Sequence, residues 1–122
     1  RNTLAGVSPS DFLCPGSILA AKADPAQPLA HGLPETTPVW FEGSAAFETE
    51  RGSVALRYEG EDPLLSGWLL GGDRLKSGAA LVDVPLGKGR VVLFGFRPQY
   101  RAQSRVTYAA LLNALYLSAA LP

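Results

Sequence analysis

The last third of the chain, residues 87–121, constrains the fold most: a turn, an apolar strand and an apolar helix follow one another there. Gly87-Lys88-Gly89 turns the chain, and Arg90-Val91-Val92-Leu93-Phe94-Gly95-Phe96 reads as a buried strand. A loop carrying Pro98 leads to Ser104, a good N-cap residue. From there a helix is expected to run almost to the C-terminus, because Thr107–Ala120 contains neither Gly nor Pro. Tyr108, Leu111, Leu112 and Leu115 form one apolar stripe at helical spacing, and Ala109, Ala110, Tyr116, Leu117 and Ala120 make much of the remainder apolar. Asn113 is the only strongly polar residue in its middle. A helix apolar nearly all round is buried on most sides. It is therefore expected either inside the domain or against a region outside this sequence, which is an interface signal.

Upstream the chain reads as sheet and loop laid against that unit. Ser8–Asp11 and Pro15-Gly16 carry turn chemistry, and Ser10-Asp11 offers a cap for a short helical turn at Phe12 and Leu13. Ser17–Ala23 reads as the first strand. Asp24–Pro38 is expected to be a long loop without regular structure. Pro25, Pro28, Pro34 and Pro38 each lack an amide donor and restrain the residue before them. Val39–Phe41 opens a second extended piece reaching Glu48. Val54–Tyr58 alternates in the manner of a strand with one wet face, and Leu64–Leu70, closed by Gly71-Gly72, reads as a further short strand. Ala79–Val84 pairs naturally with Arg90–Phe96 across the Pro85–Gly89 turn. The expected class is a single α/β domain spanning residues 1–122.

Composition narrows the functions open to it. A chain of 122 residues, 47% hydrophobic and 18% charged, can bury a core without staples and is not expected to be disordered. Its 11 basic residues are balanced by 11 acidic ones, which argues against a duplex nucleic-acid surface, since that needs a basic excess to displace counterions. The single Cys14 excludes an internal disulfide, and no apolar run approaches the roughly 20 residues of a membrane span. Opening on Arg-Asn-Thr-Leu without a Met or a leader, the sequence reads as a piece of something longer.

The most chemically suggestive stretch is Phe96–Arg105. Arg97, Arg101 and Arg105 lie between the end of a strand and the start of a helix, with Gln99 and Tyr100 among them. That is where α/β sheets place ligands and where helix amides favour anions, so a carboxylate, sugar acid or phosphate site is one reading. The other is structural: the arginines pair with local acids, stack on Tyr100 or dock on another domain. His31, the only histidine, lacks the company that a zinc site needs. Nothing local activates Cys14, and Ser17 and Ser66 lack a hydrolase elbow. Glu59-Gly60-Glu61-Asp62 reads as a solvated turn or a weak calcium contact. No catalytic constellation is visible, and no metal site is expected in this chain.

Two segments carry a family resemblance. Leu4–Ser17, and Asp62–Trp68 running on to Val84–Gln103, together resemble the C-terminal region of bacterial zinc carboxypeptidase-like proteins of the carboxypeptidase A superfamily. The likeness extends to Asn113–Tyr116 at the end of the chain. In that group a metallopeptidase domain is followed by a domain similar to class I glutamine amidotransferases. The resemblance implies a mixed sheet packed by few helices, flavodoxin-like or amidotransferase-like, with its opening βα units missing.

It also implies a non-catalytic role. The family's zinc site is an H-x-x-E pair with a later His, which a chain with one histidine cannot hold, so zinc is expected in an upstream peptidase domain. Arg97-Pro98-Gln99 resembles the His-Pro-Glu place of active amidotransferases with base and acid replaced; arginine cannot serve as a base at neutral pH. The resemblance thus implies an accessory domain, secreted or periplasmic, partnered by its own peptidase domain. In isolation, an exposed sheet edge or helix face could pair the fragment with itself.

Overall fold

The computed structural model describes residues 1–120. Leu121, placed by the sequence at the end of the C-terminal unit, lies outside the described residues. Six strands form a single antiparallel sheet: β1 (Ser17–Ala23), β2 (Thr36–Phe41), β3 (Ser53–Tyr58), β4 (Leu64–Ser66), β5 (Ala79–Leu86) and β6 (Gly89–Phe94). The order is β2-β1-β3-β5-β6, with β4 alongside β1. One helix follows, α1 (Tyr108–Ala120), entered through a 3₁₀ turn at Arg105–Thr107.

This overturns the expected flavodoxin-like, amidotransferase-like α/β architecture. Such folds need parallel strands joined by helical crossovers of a dozen or more residues. Here every strand pair is antiparallel, and β5 and β6 are joined by Gly87-Lys88 alone. Gly87, at φ 59, supplies the positive φ that so tight a turn requires. Register shifts along β3 against β5, and in β1 against β4, mark bulges that bend the sheet. The product is a curled half-barrel. Past the end of β6, Arg97 donates its amide to the Trp40 carbonyl of β2 at 3.0 Å, drawing the two outermost strands together at one end.

The core lies in the hollow of the curl. Leu19, Val39, Phe41, Leu56 and Leu81 are fully buried, with Tyr58 edge-on to Phe41 at 5.7 Å between ring centroids. The Tyr58 hydroxyl meets the carbonyl oxygens of Ala45, at 2.8 Å, and Gly95, fixing the point where the chain leaves β6. β5 is buried at four consecutive residues, Ala79–Val82, and is therefore covered on both faces. It loses that cover from Asp83 onward, because Ser53 opposite Asp83 is the last residue of β3 to pair with it. Beyond that point the β5–β6 hairpin projects alone.

Several local expectations are corrected. β2 runs straight through Pro38, inside the supposed loop, because it is an outer strand and an edge tolerates a missing amide. Pro28–Ala30 forms a 3₁₀ turn. Leu13 joins an isolated bridge to Leu70 rather than a helical turn. β6 is an outer strand with half-exposed residues, not a buried one. Ser104 makes no side-chain cap; its carbonyl instead accepts from Thr107, and the α-helix starts only at Tyr108.

The helix itself is not buried on most sides. Only Ala110 is fully covered, with Ala114 and Leu117 packed against the core. Asn113 pins this inner face by donating to the carbonyl oxygens of Leu29, at 3.2 Å, and His31, at 2.8 Å. Leu112, Leu115 and Tyr116 point outward at 49%, 59% and 72% exposure. Among the described residues no helix is long and apolar enough to cross a membrane.

Candidate functional site

The structure gathers part of the Arg97–Arg105 loop into one cluster. β2 ends on Trp40 and Phe41, with Glu42 next in the chain, and the chain leaving β6 returns beside them, so residues far apart in sequence meet at the closing end of the half-barrel. The Tyr100 ring stacks on Trp40 with centroids 4.9 Å apart and planes 6° from parallel. Arg97 and Arg101 lie over the Tyr100 ring, at 5.4 and 5.6 Å. Arg97 reaches the Glu42 carboxylate at 3.1 Å and donates through Nε to the Glu42 carbonyl at the same distance. The Trp40 indole donates to the same carboxylate at 3.4 Å.

Arg97 therefore clamps β6 to β2, with its charge met by a carboxylate. Arg101, where the loop turns left-handed at φ 45, remains exposed with its guanidinium over the ring. Gln99 is exposed, and its side chain makes no hydrogen bond among the described residues. Arg105 sits in the 3₁₀ turn, exposed, and no ion pair reaches it among the described residues. The five residues do not converge on one point. With the amidotransferase-like fold overturned, the likeness of Arg97-Pro98-Gln99 to a His-Pro-Glu triplet loses its structural footing.

A groove of about 610 Å³ lies elsewhere, where β1 ends beside β3, and Lys22, Asp24, Gln27, Glu50 and Arg57 are among its lining residues. Its polar groups are largely tied to neighbours. Asp24 accepts from the Ala26 amide at 3.0 Å and from Gln27 at 3.3 Å, Lys22 faces Glu35 at 3.5 Å, and Arg57 donates to the Ser77 carbonyl at 3.0 Å. The two groups whose proton affinity the fold clearly alters lie outside this groove. Burial pushes the Cys14 thiol up, and burial, with a smaller contribution from Cys14, pushes the Tyr58 phenol well up. Both changes hold an acid neutral; neither poises a base.

The remaining sequence candidates have structural roles. Cys14 is buried, its sulfur 3.7 Å from the Phe41 carbonyl. The Ser17 hydroxyl pairs with both backbone groups of Trp68, at 2.7 and 2.8 Å. His31 serves α1 through its carbonyl. Glu61 of the acidic turn pairs with Lys76. Among the described residues no group of three metal-ligating side chains gathers.

The feature whose direction the sequence left open is the outer face of α1. Leu112, Leu115, Tyr116 and Ala119 recur at helical spacing and face away from the core. The helical period was legible in the sequence; the direction it faces depends on how far the sheet extends beneath it. Trp40 and Glu42, the partners of the arginine loop, carried no local signal beyond an acid following two aromatic residues.

Comparison with known proteins returned no matching family model, curated protein or solved structure.

Proposed function

We propose that this chain is a non-catalytic accessory domain that docks on a larger partner through the outer face of α1. On the resemblance of its Leu4–Ser17 and Asp62–Gln103 segments, that partner is the metallopeptidase domain of a zinc carboxypeptidase-like protein. The observation that carries the reading is the exposure of Leu112, Leu115 and Tyr116 side by side on one helix. A contiguous apolar patch on a soluble surface marks an interaction site, and aromatic and aliphatic residues of this kind form the centre of protein interfaces. The opposite face of the same helix is fixed by Asn113 and Leu117, so the patch sits on a rigid element. In this reading zinc and the chemistry belong to the partner domain, and the parent protein is secreted or periplasmic.

Titration calorimetry of the chain against the peptidase domain tests the proposal. Saturable binding that Leu115→Asp weakens at least about tenfold is expected, as for a residue central to an interface. Binding unaffected by that change would move the docking surface elsewhere.

A second reading rests on Arg101 and Arg105, which lack a carboxylate partner among the described residues. There the loop binds a small carboxylate, sugar acid or phosphate. Such a ligand raises the melting temperature by mass action, and Arg101→Ala removes the rise.

A further inference from the structure

An open surface of the molecule besides the outer face of α1 is the edge of β6, the last strand in the sheet order. The Gly95 amide donates to the Ala80 carbonyl at 2.7 Å, and Gly89 stands opposite Leu86 across the tight turn. In an antiparallel ladder the bonded pairs alternate, so Leu93 bonds Val82 and Val91 bonds Val84. Arg90, Val92 and Phe94 consequently aim their amides and carbonyls away from β5. No other backbone or side-chain group meets these atoms among the described residues.

Natural sheets guard such an edge with proline, a bulge or repelling charge. β6 contains no proline, and its register against β5 is unbroken. Its one charged residue, Arg90, is already paired with Asp83 at 3.4 Å. Val91 and Leu93, 38% and 37% exposed, give one face of the hairpin an apolar surface, and the adjoining Leu86 is exposed too. Among the described residues no strand of the sheet lies on the outer side of β6.

We propose that two copies of this chain pair through β6, edge to edge and antiparallel, about a two-fold axis at Val92. In that register Val92 faces Val92 of the second copy, Val91 faces Leu93, and Arg90 faces Phe94. About six backbone hydrogen bonds form, two for each bonded residue pair. The exposed valines and leucines become one continuous apolar strip across the seam, and each Arg90 gains an aromatic neighbour. A second copy fits better than a charged partner: the formal net charge of the chain is zero, and the one edge charge is neutralised within its own chain. An isologous contact of this kind also closes on itself and leaves no growing end. The contact is independent of the docking proposed for α1.

Light scattering on the 122-residue chain, from micromolar to millimolar concentration, tests it. The mass should double with concentration. Val92→Pro removes an outward amide without touching the β5 ladder, and should remain folded and monomeric throughout. Leu93→Lys, a change at an exposed position, should weaken pairing at least about tenfold and guards against misfolding of the proline variant. Chains carrying Val91→Cys, mixed with chains carrying Leu93→Cys, should cross-link on oxidation, whereas Val91→Cys alone should not. A chain monomeric at every concentration overturns the proposal, as does a folded Val92→Pro variant that still dimerises. Cross-linking of Val91→Cys with itself overturns the register.

Discussion

Leu56 and Leu81, on β3 and β5, are completely buried, whereas Leu112 and Leu115, on α1, stand about half out of the protein. The same residue type thus serves two ends within one small domain. In the curl of β1, β3 and β5, leucines meet one another across a hollow that bulges in the sheet create. At the C-terminal end the sheet has run out: β6 has a neighbour on one side only, and α1 covers the hollow with its inner face alone. Hydrophobicity is therefore a poor guide to position here, and the extent of the sheet is the better one. What the sequence presents as a uniformly apolar unit is divided by geometry into a part that holds the fold and a part that is free to meet something else.

This contrast makes graded predictions. Leu81→Ala removes a fully packed side chain and should destabilise the domain by about 2–5 kcal/mol in urea unfolding. Leu115→Ala should change stability by no more than about 0.5 kcal/mol in the same experiment. Comparable losses at the two sites would break the distinction between the interior and the outer face.

Next in size is Tyr58, whose hydroxyl binds the Ala45 and Gly95 carbonyls at the exit from β6. Tyr58→Phe should cost about 1–3 kcal/mol. The same residue gives the stability a direction with pH. The folded state holds both the Tyr58 phenol and the Cys14 thiol neutral above their ordinary values of 10.0 and 9.0. Their contribution is complete below those values. It declines as pH rises through them toward the folded-state values, because the unfolded chain releases its protons first. The urea midpoint should accordingly fall between neutral pH and about pH 10.5. Tyr58→Phe should flatten that fall, and an equally steep fall in the variant would place its cause elsewhere.

A smaller loss than at Tyr58 is expected at Asn113, a polar anchor on the inner face of α1. Asn113→Ala leaves the Leu29 and His31 carbonyls without that donor. It should cost about 1 kcal/mol and raise amide exchange in α1 more than in β1.

Much of the sheet was legible from the sequence. Ser17–Ala23 has the bounds that the sequence suggests, the alternation of Val54–Tyr58 marks β3, and the pairing of Ala79–Val84 with Arg90–Phe96 was legible, although the turn between them is Gly87-Lys88 rather than the whole of Pro85–Gly89. The strand directions were not. Only one segment of the chain has helical periodicity, which disfavours the parallel sheet with crossover helices that the family resemblance implies. Val39–Phe41 was legible as extended, but the opening half of β2 was hidden because Pro38 is forbidden in a central strand and harmless in an outer one, a distinction that needs the strand order. At the arginine loop, Arg97, Tyr100 and Arg101 were recognisable as neighbours. Their partners Trp40, on β2, and Glu42, just past its end, are distant in sequence, and the half-barrel's closing end alone brings them together.

The docking role is tested most directly by mapping backbone amide chemical shifts of the labelled chain as unlabelled peptidase domain is added to saturation. The largest changes should fall on Leu112, Leu115, Tyr116 and Ala119, with the interior of β1, β3 and β5 unmoved. Changes centred on the Arg97–Arg105 loop or on the groove beside Lys22 and Arg57, or no change at saturation, would contradict docking through the outer face of α1.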